Sequence, residues 1–164
     1  PVRPTAQLMG VPRPELCEPI ARVLQSLGVR RAMVVCGIVK SPIPSPQRPA
    51  SYLDELSTLG DNTIAEFYQE HGFATSTLDP QQFPLQSVTL GDLVGGDRAA
   101  NAEIIRRILR GEDRGPKRDA VLLNAGAALF VAGHARSIGE GWEVAAETIA
   151  SGKARAKLEE LCAQ

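Results

Sequence analysis

Short apolar runs punctuated by glycine and proline alternate along this chain with longer stretches of helical period. Residues 7–11 are the first such run and predict a strand. Pro14 stands where a first helical turn accepts proline, and Leu16, Ile20, Val23, Leu24 and Leu27 recur at helical spacing until Gly28. Pro19 removes one amide donor inside this helix and predicts a kink near its first turn. Residues 31–36 are continuously apolar rather than alternating, the pattern of a strand covered on both faces. Strand, helix and strand in this order predict a right-handed βαβ crossover, whose ligands bind outside the carboxyl ends of the strands. Residues 37–52 form the loop at that end, and Pro42, Pro44, Pro46 and Pro49 exclude regular helix from it.

Beyond the loop, residues 63–68 and 74–78 flank Glu70, His71 and Gly72 and predict a β-hairpin. The period then becomes helical. Asp97 is placed to cap a helix whose buried stripe is Ile104, Ile105, Ile108 and Leu109, ending at Gly111. A second helix starts near Pro116 and is apolar almost all round over residues 120–132, so it is expected to be buried, with Gly133 as its stop. Ser137 and Glu140 make a capping box for a third helix, whose stripe is Ile138, Trp142, Ala145, Ala146 and Ile149. Leu158 and Leu161 continue a helical pattern past Gly152.

The expected architecture is α/β: a partly parallel sheet with a βαβ crossover and helices packed around it. A length of 164 residues with 43% apolar side chains suits one core, so residues 1–164 are read as a single domain with a proline-rich insertion at 38–53. The 18 basic and 19 acidic residues nearly cancel, which gives no electrostatic reason to expect nucleic acid or an anionic membrane as partner. Three widely spaced cysteines without a CxxC pair argue against a disulfide framework or a structural zinc site, and no apolar stretch is long enough to span a bilayer. A reducing, cytoplasmic setting follows. The chain opens at Pro1 without methionine and close to its first strand, which reads as entry into mid-fold, with removal of an initiator methionine as the plainer alternative.

Candidate chemistry concentrates at Asp54 and Glu55, adjacent carboxylates between the proline-rich loop and the remaining sheet. Such a pair suits a hard cation such as Mg2+, which takes oxygen ligands and usually keeps several waters. The plainer reading is a solvated acidic turn. Gly95, Gly96 and Asp97 suggest an anion-binding loop but fit a helix entry better, and neither GxGxxG nor GxxxxGK[ST] occurs. Cys36 closes an apolar strand and reads as an inert buried thiol, while His134 follows a helix stop, where an imidazolium complements the helix dipole. Asn124 is the lone polar residue of the apolar helix and has to satisfy its amide, most simply against nearby backbone.

Several of these strings together resemble the carboxyl-terminal half of anthranilate phosphoribosyltransferase. They are Leu53, Asp54, Glu55, Leu56 and Ser57, then Gly95, Gly96, Asp97, Asn101 and Ala102, and above all the unbroken run 115–125. Residues 7–11 with Pro14, Glu15 and Leu16 add a further match. The resemblance implies the phosphoribosyltransferase fold shared with nucleoside phosphorylases. It also implies transfer of phosphoribosyl from phosphoribosyl pyrophosphate to anthranilate, in tryptophan biosynthesis, with Mg2+ as cofactor. Carried over, Asp54 and Glu55 bind the metal and Pro1 matches a proline on the anthranilate side.

The family's glycine-rich phosphate loop and basic segment have no counterpart here. The expectation is therefore that the chain alone is inactive, and that it self-associates or docks with a separate amino-terminal piece. The chain also departs from the family at Cys36, where histidine is usual, and in the length of 37–53. Those departures keep a non-catalytic or split-gene subunit, or a nucleoside phosphorylase fragment, as alternatives.

Overall fold

The computed structural model describes residues 4–40, 51–68 and 72–163. Strand β1 (Ala6–Gly10) leads through a 3-10 turn at Pro14–Leu16 into helix α1 (Cys17–Ser26), which returns the chain to β2 (Arg31–Val39). β1 and β2 run parallel, with Ala6 opposite Arg31 and Gly10 opposite Val35, so the predicted βαβ unit is present. Pro19 falls in the first turn of α1, where its missing amide would have had no helical partner. The rest of the sheet is antiparallel: β4 (Asn62–Tyr68) lies along β2, and β5 (Gly72–Leu78) along β4, giving the order β1-β2-β4-β5. The hairpin read from the sequence is therefore β4 and β5.

One boundary differs in a way that matters. β2 continues to Val39, through residues expected to be loop, and β3 (Ser51–Leu53) folds back onto that extension with Gly37 opposite Leu53. Since β4 occupies one edge of β2 as far as Gly37, β3 takes the edge that β1 vacates after Gly10. Thus Ile38, Val39 and residues 51–53 of the expected insertion belong to the sheet. Pro42, Pro44, Pro46, Pro49, His71 and Pro1 lie outside the described residues.

Both faces of β2 are covered, as its continuous apolar run required. Met33 and Val35 pack with Leu122, Leu123, Ala127 and Trp142, whereas Ala32, Val34 and Cys36 pack with Cys17, Ala21 and Leu24 of α1. The first group comes from α4 (Pro116–Val131) and α5 (Ile138–Ala150). Full burial of each large apolar side chain there stabilises the fold by about 1.5–3 kcal/mol. A short α2 (Leu90–Leu93) and α3 (Arg98–Leu109) precede α4, and α6 (Lys153–Cys162) lies against α5 and α3.

Two expectations about helix faces need correction. Ile105 was expected in the buried stripe of α3 but is 51% exposed, because α3 contacts its neighbours through Ile108, Ile104 and Leu109. Helix α4 is not buried all round: Val121 is 38% exposed and Ala128 is exposed, on the side turned from the sheet. Among the described residues, no helix is long and apolar enough to cross a membrane.

Helices α4 and α5 touch backbone to backbone. A Cβ on Gly141 would lie 2.2 Å from the Gly126 carbonyl oxygen, and one on Gly126 would lie 2.7 Å from the Trp142 nitrogen. Neither obstacle is a flexible side-chain end. Gly141→Ala is expected to destabilise the protein by about 3 kcal/mol through this overpacking, read as a lower urea midpoint with unchanged slope.

Candidate functional site

The carboxylate pair owes its position to β3. Leaving β2's extension at Leu53, the chain has to cross the carboxyl end of β1, and it does so in direct backbone contact. A Cβ on Gly10 would fall 1.5 Å from the Asp54 carbonyl oxygen, and one on Gly37 would lie 2.6 Å from that of Glu55 and 2.7 Å from the Ser57 nitrogen. Only glycine leaves room for this crossing. Asp54 and Glu55 are consequently exposed at the carboxyl-end rim of the parallel pair, while Leu56 and Ser57, each 1% exposed, anchor the segment in the interior.

Two carboxamides hold the segment from below. Asn124 Oδ1 of α4 accepts from the Leu56 N–H at 2.9 Å, and its Nδ2 donates to the Leu56 carbonyl at 2.9 Å and to Ala120 at 3.1 Å. Asn124 was expected to satisfy its amide against nearby backbone; one of the three bonds does so at Ala120, and the other two reach Leu56 across the core. Asn62 at the start of β4 is fully buried: its Oδ1 accepts from the Ser57 N–H at 2.6 Å and its Nδ2 donates to the carbonyls of Ser57, Gly60 and Leu78 at 3.0, 3.2 and 3.3 Å. Asn62 was missed in the sequence. The signal available was a carboxamide between a Gly-Asp turn and an apolar strand.

Burial of its surroundings, and secondarily the neighbouring Asp54 charge, raise the Glu55 carboxyl above the usual glutamate range. Beneath the rim, the Cys36 thiol is pushed up by burial first, then by Glu15 and Asp54. Cys17 is pushed up to about 11 by burial, with Cys36 and Glu15 adding to it. Both thiols are buried and protonated at neutral pH, as expected of inert core cysteines.

The donor set fits magnesium. It offers exposed carboxylate oxygens without nitrogen or sulfur, and among the described residues no three His, Cys, Asp or Glu side chains gather into a metal cage. A two-carboxylate rim leaves positions for water and phosphate oxygens, the coordination that Mg2+ favours.

The other candidates resolve as structure. Asp97 caps α3 by accepting from the Ala100 N–H at 2.8 Å, and Asn101 Oδ1 accepts from the Gly96 N–H at 2.8 Å. A Cβ on Gly95 would lie 2.3 Å from that same Asn101 oxygen, so the glycine pair serves helix entry. His134 is exposed, and its backbone N–H donates to the Leu129 carbonyl at 2.9 Å in the α4 stop. Ser137 caps α5 by accepting from the Glu140 N–H at 3.1 Å, whereas the Glu140 carboxylate accepts from the Arg136 N–H rather than from Ser137. A cleft of about 510 Å3 between Met33, Phe83, Phe130 and Trp142 is lined by neither Asp54 nor Glu55.

The mixed sheet with helices on both faces makes this an α/β protein. The glycosyl transferase family, a/b domain, matches residues 1–155, and this chain belongs to it. Among individual proteins, it is 47% identical over 163 residues to the anthranilate phosphoribosyltransferase of Lacticaseibacillus paracasei, covering 99% of this chain and 44% of that protein. The corresponding protein of Geobacter sulfurreducens is 45% identical over 155 residues, covering 94% of this chain and 40% of the relative. The crystal structure of the Thermus thermophilus anthranilate phosphoribosyltransferase superposes with a TM-score of 0.73 at 37% identity, over 92% of this chain and 40% of that one. The Saccharomyces cerevisiae enzyme in complex with PRPP and Mg shares the fold, with a TM-score of 0.71 at 24% identity, over 93% of this chain and 39% of that one. The chain therefore spans less than half the length of the relatives it matches.

Asp54→Asn removes the neighbouring charge and is expected to lower the Glu55 pKa, which remains above the usual range because burial persists. A carbon-13 titration of the Glu55 carboxyl carbon reads the change, and an unmoved midpoint would contradict the coupling.

Proposed function

We propose that this chain contributes the metal-binding part of an anthranilate phosphoribosyltransferase acting in tryptophan biosynthesis. In that reaction the bond between ribose and the pyrophosphate oxygen breaks, a bond to the anthranilate nitrogen forms, and the amine gives up a proton. The observation that carries the reading is the rim itself: two adjacent exposed carboxylates, seated on Gly10 and Gly37 at the carboxyl ends of the parallel strands. Ligands of open α/β sheets bind at that end.

Asp54 and Glu55 would hold Mg2+, and when bound the cation stabilises the charge that grows on the departing pyrophosphate more than the charge of the ground state. The chain's own part is orientation. Short contacts from Asp54 to Gly10 and from Glu55 and Ser57 to Gly37 fix the backbone from which both carboxylates project. The raised Glu55 carboxyl releases its proton more readily once a cation lies beside it, so metal binding is expected to weaken as pH falls through that raised pKa.

The resemblance assigns the phosphate loop and the anthranilate contacts, apart from Pro1, to a part of the family pattern with no counterpart in these 164 residues. We propose that this part packs beside β1, whose outer edge has no strand partner among the described residues. The free thiols Cys17, Cys36 and Cys162 suit the reducing cytoplasm.

The test is the double variant Asp54→Asn with Glu55→Gln. Isothermal titration with magnesium pyrophosphate is expected to show binding to the wild-type chain and at least tenfold weaker binding to the variant. Equal affinities would remove the acidic pair from the site.

A further inference from the structure

A carboxylate pair binds a cation well only if its two groups are held at a fixed spacing, and among the described residues no side-chain hydrogen bond or ion pair holds Asp54 or Glu55. What is fixed is the backbone around them. On one side, the Asp54 carbonyl rests on Gly10; on the other, the Leu56 peptide N–H and carbonyl are both bonded to a single side chain, Asn124. We infer that Asn124 is a positioning residue for the acidic pair, setting the direction from which Glu55 projects without touching any ligand. The inference rests on the reading that Asp54 and Glu55 bind the cation.

The residue type follows from the hydrogen-bond inventory. Leu56 takes one acceptor for its N–H and one donor for its carbonyl, the remaining amide hydrogen goes to the Ala120 carbonyl, and a carboxamide supplies that set. Aspartate keeps the acceptor and loses both donors. Alanine leaves both polar groups of Leu56 without the carboxamide, in a residue that is 1% exposed. Packing of α4 on the sheet does not require Asn124, since Leu122, Leu123, Ala127 and Val131 provide it. Removal of Asn124 is thus expected to loosen the rim and leave the rest of the fold in place. Groups that orient a metal's ligands from behind commonly change affinity by about 10–100-fold when removed.

The experiment is a Mn2+ titration of the nitrogen-15-labelled 164-residue chain, following paramagnetic broadening of the Gly10 and Gly37 amide signals. Four variants are compared with wild type: Asp54→Asn with Glu55→Gln, Asn124→Ala, Asn124→Asp, and Val131→Ala as a control that destabilises α4 away from the rim. The expected result is broadening in wild type, its loss in the double variant, about tenfold weaker Mn2+ binding in both Asn124 variants, and wild-type affinity in folded Val131→Ala. If Asn124→Ala fails to fold, Asn124→Asp carries the comparison. Wild-type affinity in the folded Asn124 variants, or equal weakening in Val131→Ala, overturns the positioning role while the carboxylate reading stands. Absence of broadening in wild type, or its persistence in the double variant, overturns both.

Discussion

The missing side chains at Gly10 and Gly37 are the constraint on which the site depends. β3 delivers the chain to the end of β1 at a height set by its pairing with β2, and from there the backbone has to pass within contact distance of both strands. At Gly10 the conflict with any larger residue would be 1.5 Å from a carbonyl oxygen, too short for a small shift to relieve. A lifted segment would carry Leu56 out of the interior, and with it both hydrogen bonds to Asn124. Position of the acids and integrity of the core are therefore one structural fact.

β2 makes the platform rigid because it is buried from both sides. Its even residues face α1 and its odd residues face α4 and α5, so neither face can relax into solvent. The same double covering explains Cys36. A residue 0% exposed, with a thiol pushed up by burial, can be small and apolar without disturbing the exposed carboxylates above it. Cys36 thus lies beneath the rim, in the α1 side of the core, and leaves the carboxylates' exposure intact.

Much of this was legible in the chain because the signals were local. A continuous apolar run meant a strand covered twice, Gly111 and Gly133 closed helices with positive φ, and the acidic pair stood out as adjacent hard donors. What escaped detection was non-local. Nothing within residues 37–39 tells that they extend β2, since their partner β3 lies beyond the proline-rich segment. Asn124 announced an unsatisfied amide but not its partner 68 positions away, and Asn62 was missed because its buried bonds reach Ser57 and Leu78, 5 and 16 positions away. Ile105 failed for a related reason: helical period gives the width of an apolar stripe, while the neighbours decide how much of it is covered.

The two carboxamides divide the work of holding the rim, and their surroundings show why both are needed. Asn62 belongs to β4 and closes the turn 57–60 onto its own strand, so it fixes the segment relative to the antiparallel half of the sheet. Asn124 belongs to α4 and ties the same segment to the helical layer. Either tie alone would leave residues 54–57 free to pivot about the other, because one anchored peptide still permits rotation of its neighbours. With both in place, and glycines at the points of contact below, the acidic pair is fixed with respect to strand, sheet edge and helix together. That triangulation gives two exposed side chains, which no side-chain bond holds among the described residues, a fixed backbone from which to project.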